Sequence, residues 1–150
     1  MVYQKNLSSF LNIEQDISLN DLKEALKEKD FLYYTLKVVE NVSDEITQKL
    51  LNELINIVIY SNISDSYIAK KIVLESNRQL FRKEICEIII KYSLTEKDNI
   101  YIIKDLALFL YELQYKKELL EFINENIAAL RETEFIEDDE DLKGFNNMED

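Results

Sequence analysis

The chain has 150 residues, of which 47% are hydrophobic and 32% charged, and its formal net charge is −12. This excess of negative charge argues against nucleic acid and anionic membranes as partners, because both are bound through Lys and Arg. The chain contains no proline and one glycine, Gly144, so a sheet protein with many tight turns is disfavoured. We therefore predict an all-α globular protein.

Apolar residues at helical spacing define the first predicted helices. Ser18 and Asp21 resemble a capping box that opens one helix, and Asp30 is expected to cap the next. The second helix is rich in aromatic and β-branched residues, so a strand over residues 31–39 is the alternative. A short helical turn is also expected on the N-terminal side of both helices. The apolar positions are Leu7, Phe10, Leu11 and Ile13 in that turn, then Leu22, Ala25, Leu26, Leu32, Leu36 and Val39.

Residues 43–111 contain two consecutive predicted helical hairpins. An internal repeat of about 31 to 34 residues relates them, and a period of this size is typical of stacked helix pairs. The aligned positions are Glu53 with Glu84, Val58 with Ile89, Ile59 with Ile90, Tyr67 with Tyr101, and Ile72 with Leu106.

Polar residues at the breaks predict where these helices begin. Ser43 is expected to cap the first, and the second is predicted over 65–75. Asn77 is expected to cap the third, and Thr95 with Asp98 to form a capping box for the fourth. One more helix, over about 115–131, gives about seven in all. Their predicted core positions include Leu50, Leu54, Leu80, Ile85, Ile89, Ile103, Leu106, Ala107, Leu110, Leu119 and Ile123.

After Arg131 the helical pattern ends and the composition becomes strongly acidic. Residues 132–150 carry nine acidic residues and one lysine, a net charge of −8. We predict a single α-helical domain over 1–131 and a flexible or loosely docked tail over 132–150. The acids at 139, 141 and 150 and the glycine at 144 match part of a calcium loop, but no exit helix follows, so chance alignment is favoured. Apolar residues that could anchor the tail are Phe135, Ile136, Leu142 and Phe145.

The residue inventory argues against catalysis. Histidine is absent from the sequence, which removes Ser-His-Asp and Cys-His sites and most zinc sites. One glycine cannot build a phosphate-binding loop. Cys86, between Glu84 and Glu87, is expected to be an inert residue near the core edge. We predict a protein that is not an enzyme and has no cofactor and no metal; acids converging in one pocket would instead indicate a carboxylate enzyme.

A mixed aromatic and acidic stripe on the predicted helix that ends near Leu113 points to a protein partner. Tyr101, Asp105, Leu108 and Glu112 recur every three or four residues, opposite the apolar face of that helix. Such a stripe suits a basic partner, although the tyrosines could instead cover the core with their hydroxyls in water. The predicted partner-binding residues are Tyr67, Asp98, Tyr101, Asp105, Leu108, Tyr111 and Glu112.

The capped antiparallel hairpins from Ser18 to Arg131 resemble the HEAT and armadillo class of α-helical repeat proteins. This resemblance implies a short right-handed superhelix. The proline and arginine positions that often mark HEAT units are missing, so a plain orthogonal bundle is the alternative architecture. The small, acidic, all-helical chain is also similar to bacterial toxin-immunity proteins.

The similarity to immunity proteins implies a cytoplasmic inhibitor that binds a basic toxin domain. The lone cysteine and an N-terminal segment without an apolar signal core agree with a cytoplasmic location. The alternative function is a small scaffold or adaptor that holds a peptide or helix of a partner protein.

Overall fold

A computed structural model describes the backbone of residues 15–149 and the side chains of residues 19–149. Across these described residues the chain forms ten α-helices and no strand, which confirms the predicted all-α class. The turn expected around residues 7–13 lies outside the described residues. The prediction that Ser18 opens a helix is wrong, because the first described helix spans Gln15–Lys27 and contains Ser18. The helices are α1 (Gln15–Lys27), α2 (Leu32–Val39), α3 (Asp44–Lys49), α4 (Leu51–Tyr60), α5 (Ile63–Glu75), α6 (Arg82–Thr95), α7 (Ile100–Leu113), α8 (Lys116–Glu125), α9 (Ile127–Glu132) and α10 (Asp139–Asn146).

The chain divides into two compact units, residues 1–78 and 79–150. Helices α1 to α5 belong to the first unit and α6 to α10 to the second. Residues 132–150, predicted as a tail, contain α10 and are part of the second unit. The domain boundary at Arg131 stays a prediction.

None of the helices in the described part of the chain combines the length and the apolar character needed to cross a bilayer.

The first unit is built on the hairpin of α4 and α5. Helix α1 packs against α2 and α4, and α2 packs against α5, so each helix buries an apolar face on a neighbour. Asn62 caps α5 by accepting a hydrogen bond from the Asp65 amide at 2.9 Å, and Ser66 donates to the Val58 carbonyl at 2.6 Å. These two bonds set the tight turn of the hairpin. The core side chains include Leu22, Leu36, Leu50, Leu54, Ile55 and Val73.

The second unit is centred on α7. Helices α6, α8 and α9 each pack against α7, and α8 also contacts α9 and α10. Removing these apolar faces from water stabilises the unit by about 1.5–3 kcal/mol for each large side chain. The fully buried side chains include Phe81, Ile85, Ile89, Ile103, Phe109, Leu113, Tyr115 and Leu119.

Two of the predicted helices are broken in the structure. Leu50 separates α3 from α4 with φ −107° and ψ 3°, and Asn126 separates α8 from α9 with φ −126° and ψ 28°. Leu50 is fully buried, and its amide bonds to the Thr47 carbonyl at 2.9 Å in a tighter turn. These two breaks, together with α10, account for ten helices over the described residues where about seven were expected.

The structure confirms only some of the predicted helix starts. Ser43 caps α3 as predicted, because its hydroxyl accepts a hydrogen bond from the Ile46 amide at 3.4 Å. The prediction for Asp30 is wrong, since Phe31 occupies the N-cap position of α2 in the left-handed conformation, with φ 66°. The prediction for Asn77 is also wrong, because α6 begins at Arg82. Leu80 therefore lies in the turn and is 72% exposed instead of buried.

Candidate functional site

Helix α7 carries most of the predicted partner-binding residues, and its ends are well defined. Asn99 caps it by accepting a hydrogen bond from the Ile102 amide at 3.3 Å. The helix ends at Gln114, which adopts a left-handed φ of 62°, while the Tyr115 amide bonds back to the Leu110 carbonyl at 3.2 Å. This closing geometry usually contains glycine, and here a chain with one glycine uses glutamine. The caps fix where α7 begins and ends.

The outward side of α7 presents the predicted stripe at the surface. Tyr101 is 69% exposed, Tyr111 46% and Leu108 38%, while Asp105 is exposed and Glu112 partly exposed. The opposite side, Ile103 with Ala107 and Leu110, is buried as predicted. Half-buried Lys104 also belongs to this helix and was not part of the predicted set. We call the surface formed by Tyr101, Asp105, Leu108, Tyr111 and Glu112 the outer face of α7.

Asp98 does not extend the stripe as a helical residue. It lies in the turn before α7. The prediction of a capping box by Thr95 and Asp98 is wrong, because Asn99 is the N-cap of α7 and the Thr95 hydroxyl instead donates to the Lys91 carbonyl at 3.0 Å. Asparagine is a stronger N-cap than threonine, which explains why Asn99 takes that role. Exposed Asp98 and Tyr101 nevertheless line one open hollow of about 390 Å³ beside the start of the helix.

Helix α10 packs against the rest of the second unit through aromatic rings. The Phe145 ring meets the Tyr111 ring edge to face, with 5.7 Å between centroids, and stacks on Phe135 at 5.3 Å. Ile136, just before the helix, is buried. Edge-to-face and stacked pairs of this kind contribute about 0.5–1.5 kcal/mol each beyond the area that they bury. The outer face of α7 is therefore in contact with the acidic C-terminal segment at Tyr111.

The acidic start of α10 is organised by a capping box. Asp138 accepts a hydrogen bond from the Asp141 amide at 3.1 Å, and Asp141 accepts one from the Asp138 amide at 3.3 Å. Asp139 and Glu140 complete the first turn, where the helix dipole favours negative charge. Of the acids that matched a calcium loop, Asp139 and Asp141 are helical in the structure, and Asp150 lies outside the described residues. Asp-x-x-Asp before Leu142 was the local signal that could have predicted this helix.

Negative charge is concentrated on the second unit. Residues 79–150 contain 18 acidic and 9 basic residues, a net charge of −9. Residues 1–78 contain 12 acidic and 9 basic residues, a net charge of −3. The outer face of α7 therefore lies on the more strongly acidic unit, whose field attracts cationic molecules.

Tyr67 belongs to the first unit, where it neighbours a different exposed surface. It is 68% exposed on α5, one turn after Ile63, which is 90% exposed. Ile63 lines an open hollow of about 730 Å³ together with Phe31 and Tyr33, both exposed. We call Phe31, Tyr33, Ile63 and Tyr67 the aromatic patch of the first unit. The sequence prediction missed its first three members, although the aromatic run 31–34 was a signal.

One partly buried polar cluster links α6 to α8. Arg82 donates two hydrogen bonds to the Glu118 carboxylate, at 2.6 and 2.7 Å, and the Cys86 thiol lies 3.4 Å from the same carboxylate. The bonds from Arg82 hold the pKa of Glu118 below its ordinary value. Burial raises the pKa of the Cys86 thiol strongly, and the negative charge of the nearby Glu118 carboxylate raises it further. The thiol therefore stays protonated at neutral pH, in line with the inert role expected of it.

The hollow beside Cys86 is small. It measures about 50 Å³ and is lined in part by Glu118, Glu121 and Glu125. Substrate pockets commonly measure about 300–1,000 Å³, so this space does not admit an ordinary substrate. Within the residues that the structure describes, no three Cys, Asp or Glu side chains are arranged to hold a metal ion.

Compared with protein-family models, with curated proteins and with solved structures, the chain gives no match.

Proposed function

We propose that this chain is a protein-binding module, most concretely an immunity protein that inhibits a basic toxin domain by stoichiometric binding. The observation that carries the proposal is the outer face of α7. It combines exposed tyrosines and carboxylates on the unit with net charge −9, and it adjoins the acidic helix α10 at Tyr111. Interfaces are enriched in tyrosine, and complementary charge gives them specificity.

In the proposed mechanism, the acidic surface first attracts the cationic partner and the tyrosines then anchor it. Long-range attraction raises the association rate and is weakened by salt. Tyr101 and Leu108 lose their water on contact and supply the buried centre of the interface. Asp105 and Glu112 surround that centre and pair with Lys or Arg of the partner. The proposal contains no catalytic step.

The HEAT-like superhelix expected from the repeat and a cytoplasmic location belong to the same proposal. Support for the superhelix comes from the helical hairpins α4–α5 and α6–α7, which follow the two sequence repeats. Exposed tyrosines at the aligned positions 67 and 101 agree with this repeat.

The test compares two triple charge reversals on the second unit. The first variant, D98K/D105K/E112K, changes the predicted site. The matched control, E87K/E121K/E125K, makes the same change in net charge at three exposed acids of α6 and α8. Each protein is immobilised and used to capture partners from a lysate of the native host, and the product of the neighbouring gene is tested as purified protein. Dissociation constants are then measured at low and at physiological salt.

The proposal expects the site variant to lose binding by at least about tenfold at low salt, whereas the control retains it within about threefold. Equal losses of affinity in both variants would show that the interaction is nonspecific charge attraction. Unchanged affinity in the site variant would show that the outer face of α7 is not part of the interface.

A scaffold or adaptor is the second candidate function, and the aromatic patch of the first unit favours it. The hollow beside this patch contains Lys29 and Asp65 as its charged residues, so its lining is close to neutral. A neutral, aromatic surface suits the apolar face of a peptide or helix. The variant I63S/Y67S distinguishes the two functions: it should abolish capture by a scaffold and leave a partner bound to the outer face of α7.

A further inference from the structure

A second hollow in the first unit differs in chemistry from every surface described above. It lies between α1 and α4, measures about 600 Å³, and its lining includes Lys23, Lys27 and Lys29. This volume falls within the range of about 300–1,000 Å³ that is common for small-molecule sites. We call it the lysine-rimmed hollow.

The two walls of the lysine-rimmed hollow carry different hydrogen-bonding groups. Lys23 and Lys27 are one turn apart on α1 and form the cationic wall. Asn52, Asn56 and Tyr60 follow one another at single-turn spacing on α4 and form the opposite wall. Ammonium, amide NH₂ and phenol groups can all donate hydrogen bonds to an anion. Helices α1 and α4 contact each other, so the two walls belong to one packed pair of helices.

Apolar side chains line the deeper part of the hollow. Leu26, Leu32 and Ile57 are among its lining residues, and each is at least nine-tenths buried in the core. A ligand in this space would therefore place apolar atoms against the leucines and isoleucine and its polar group toward the rim. A wholly polar anion would leave this apolar surface uncovered.

The positive charge at the rim is only weakly compensated. Three lysines face one carboxylate, Glu53, in a chain whose net charge is −12. Lys23 approaches Glu53 at 4.0 Å, which is beyond hydrogen-bond distance. Lys27 pairs with Glu24 at 3.3 Å, but their side chains are 62% and 75% exposed, so this pair contributes little. Lys29 forms no ion pair within the described part of the chain.

We propose that the lysine-rimmed hollow binds a small amphipathic anion, with a carboxylate or phosphate group joined to an apolar body. The anionic group bonds to Lys27, Lys29 and the amides of Asn52 and Asn56. The apolar body lies on Leu26, Leu32 and Ile57. The lining residues all belong to the first unit, whereas the outer face of α7 belongs to the second.

The test titrates the full chain with three molecules that share one alkyl chain and differ in head group: decanoate, 1-decanol and decyltrimethylammonium. The side-chain amide resonances of Asn52 and Asn56 report binding by NMR, and calorimetry gives the affinity. Decanoate should shift both resonances in a saturable manner and bind at least about tenfold more tightly than the other two. Equal binding of the alcohol or the cation would overturn the proposal.

A pair of matched variants tests the role of the lysines. The double variant K27E/K29E should weaken decanoate binding at least about tenfold. The control K49E/K71E introduces the same charge at exposed positions of the first unit outside the hollow and should keep the affinity within about twofold. All four lysines are exposed, and circular dichroism before titration verifies the fold of each variant. If both variants weaken binding equally, the hollow is not the site.

Discussion

Arg82 and Glu118 form a bidentate ion pair, with Nε to Oε2 at 2.6 Å and Nη2 to Oε1 at 2.7 Å. The pair joins the first turn of α6 to the first turn of α8, 36 residues later in the chain. The Arg82 guanidinium also lies 4.8 Å from the centre of the buried Tyr115 ring. Planar bidentate bonding and stacking on a ring are both properties of arginine that lysine cannot reproduce.

The first prediction concerns the pH dependence of this ion pair. Glu118→Gln should lower the free energy of unfolding by about 1–3 kcal/mol at pH 7, because Arg82 loses its charged acceptor. The folded-state pKa of Glu118 lies below its unfolded value, so the contribution is complete above about pH 4.3. It is lost as the pH falls through the lowered folded-state pKa.

Urea unfolding of the wild type and of Glu118→Gln at pH 7 and pH 3 measures this change. The difference in unfolding free energy should shrink at pH 3. Glu121→Gln, an exposed change one turn further along α8, is the control and should have a much smaller effect at pH 7. An equal gap at both pH values would contradict the assignment of the effect to the Glu118 charge.

The second prediction concerns the reactivity of Cys86. Because burial and the Glu118 carboxylate raise the pKa of the thiol, little reactive thiolate exists at neutral pH in the folded protein. Labelling by an aromatic disulfide reagent at pH 8 should be at least about 100-fold slower in the native protein than in urea. Similar labelling rates in the two states would show that the thiol is accessible and ionised in the native fold.

The third prediction uses two neighbouring isoleucines of α6. Ile89 is fully buried and Ile90 is 51% exposed, so the same substitution tests burial at two adjacent positions. Ile89→Ala should lower the free energy of unfolding by about 2–5 kcal/mol, through lost apolar burial and a cavity. Ile90→Ala should change it by about 0.5 kcal/mol or less. Equal effects, measured by urea unfolding followed with circular dichroism, would refute the orientation of α6.

The fourth prediction concerns the stability of α10. An alanine methyl group at position 144 would meet no atom within 4 Å, and glycine is unfavourable inside a helix. Gly144→Ala should therefore stabilise α10 by about 0.5–1 kcal/mol. Phe145→Ala should have the opposite effect, because it removes the ring contacts with Tyr111 and Phe135. Hydrogen exchange of amides 142–147 measures both changes, and equal protection in the two variants would exclude docking through Phe145.

Local sequence patterns were sufficient to predict the helical class and most inward-facing positions. The spacing of Ile103, Ala107 and Leu110 places them on one side of α7 whatever the rest of the chain does. The Ser43 cap was predictable for the same reason, since it involves one turn of backbone. Local patterns failed where two signals compete within a few residues. Thr95 and Asn99 are both acceptable caps, and asparagine, the stronger of the two, caps α7.

The sequence by itself determined the all-α class, the exposed stripe of α7 and the acidic character of the C-terminal segment, because these depend on neighbours within a few turns. Tertiary structure alone decided the break at Leu50, the contact between Tyr111 and Phe145, and the convergence of Lys27 and Asn56 on one hollow. The ring contact and the hollow bring together residues of different helices, and the break places Leu50 in the core. All three depend on packing between helices. Helical periodicity assigns a side chain to a face of its own helix, but which other helix covers that face depends on how the whole unit fills its core.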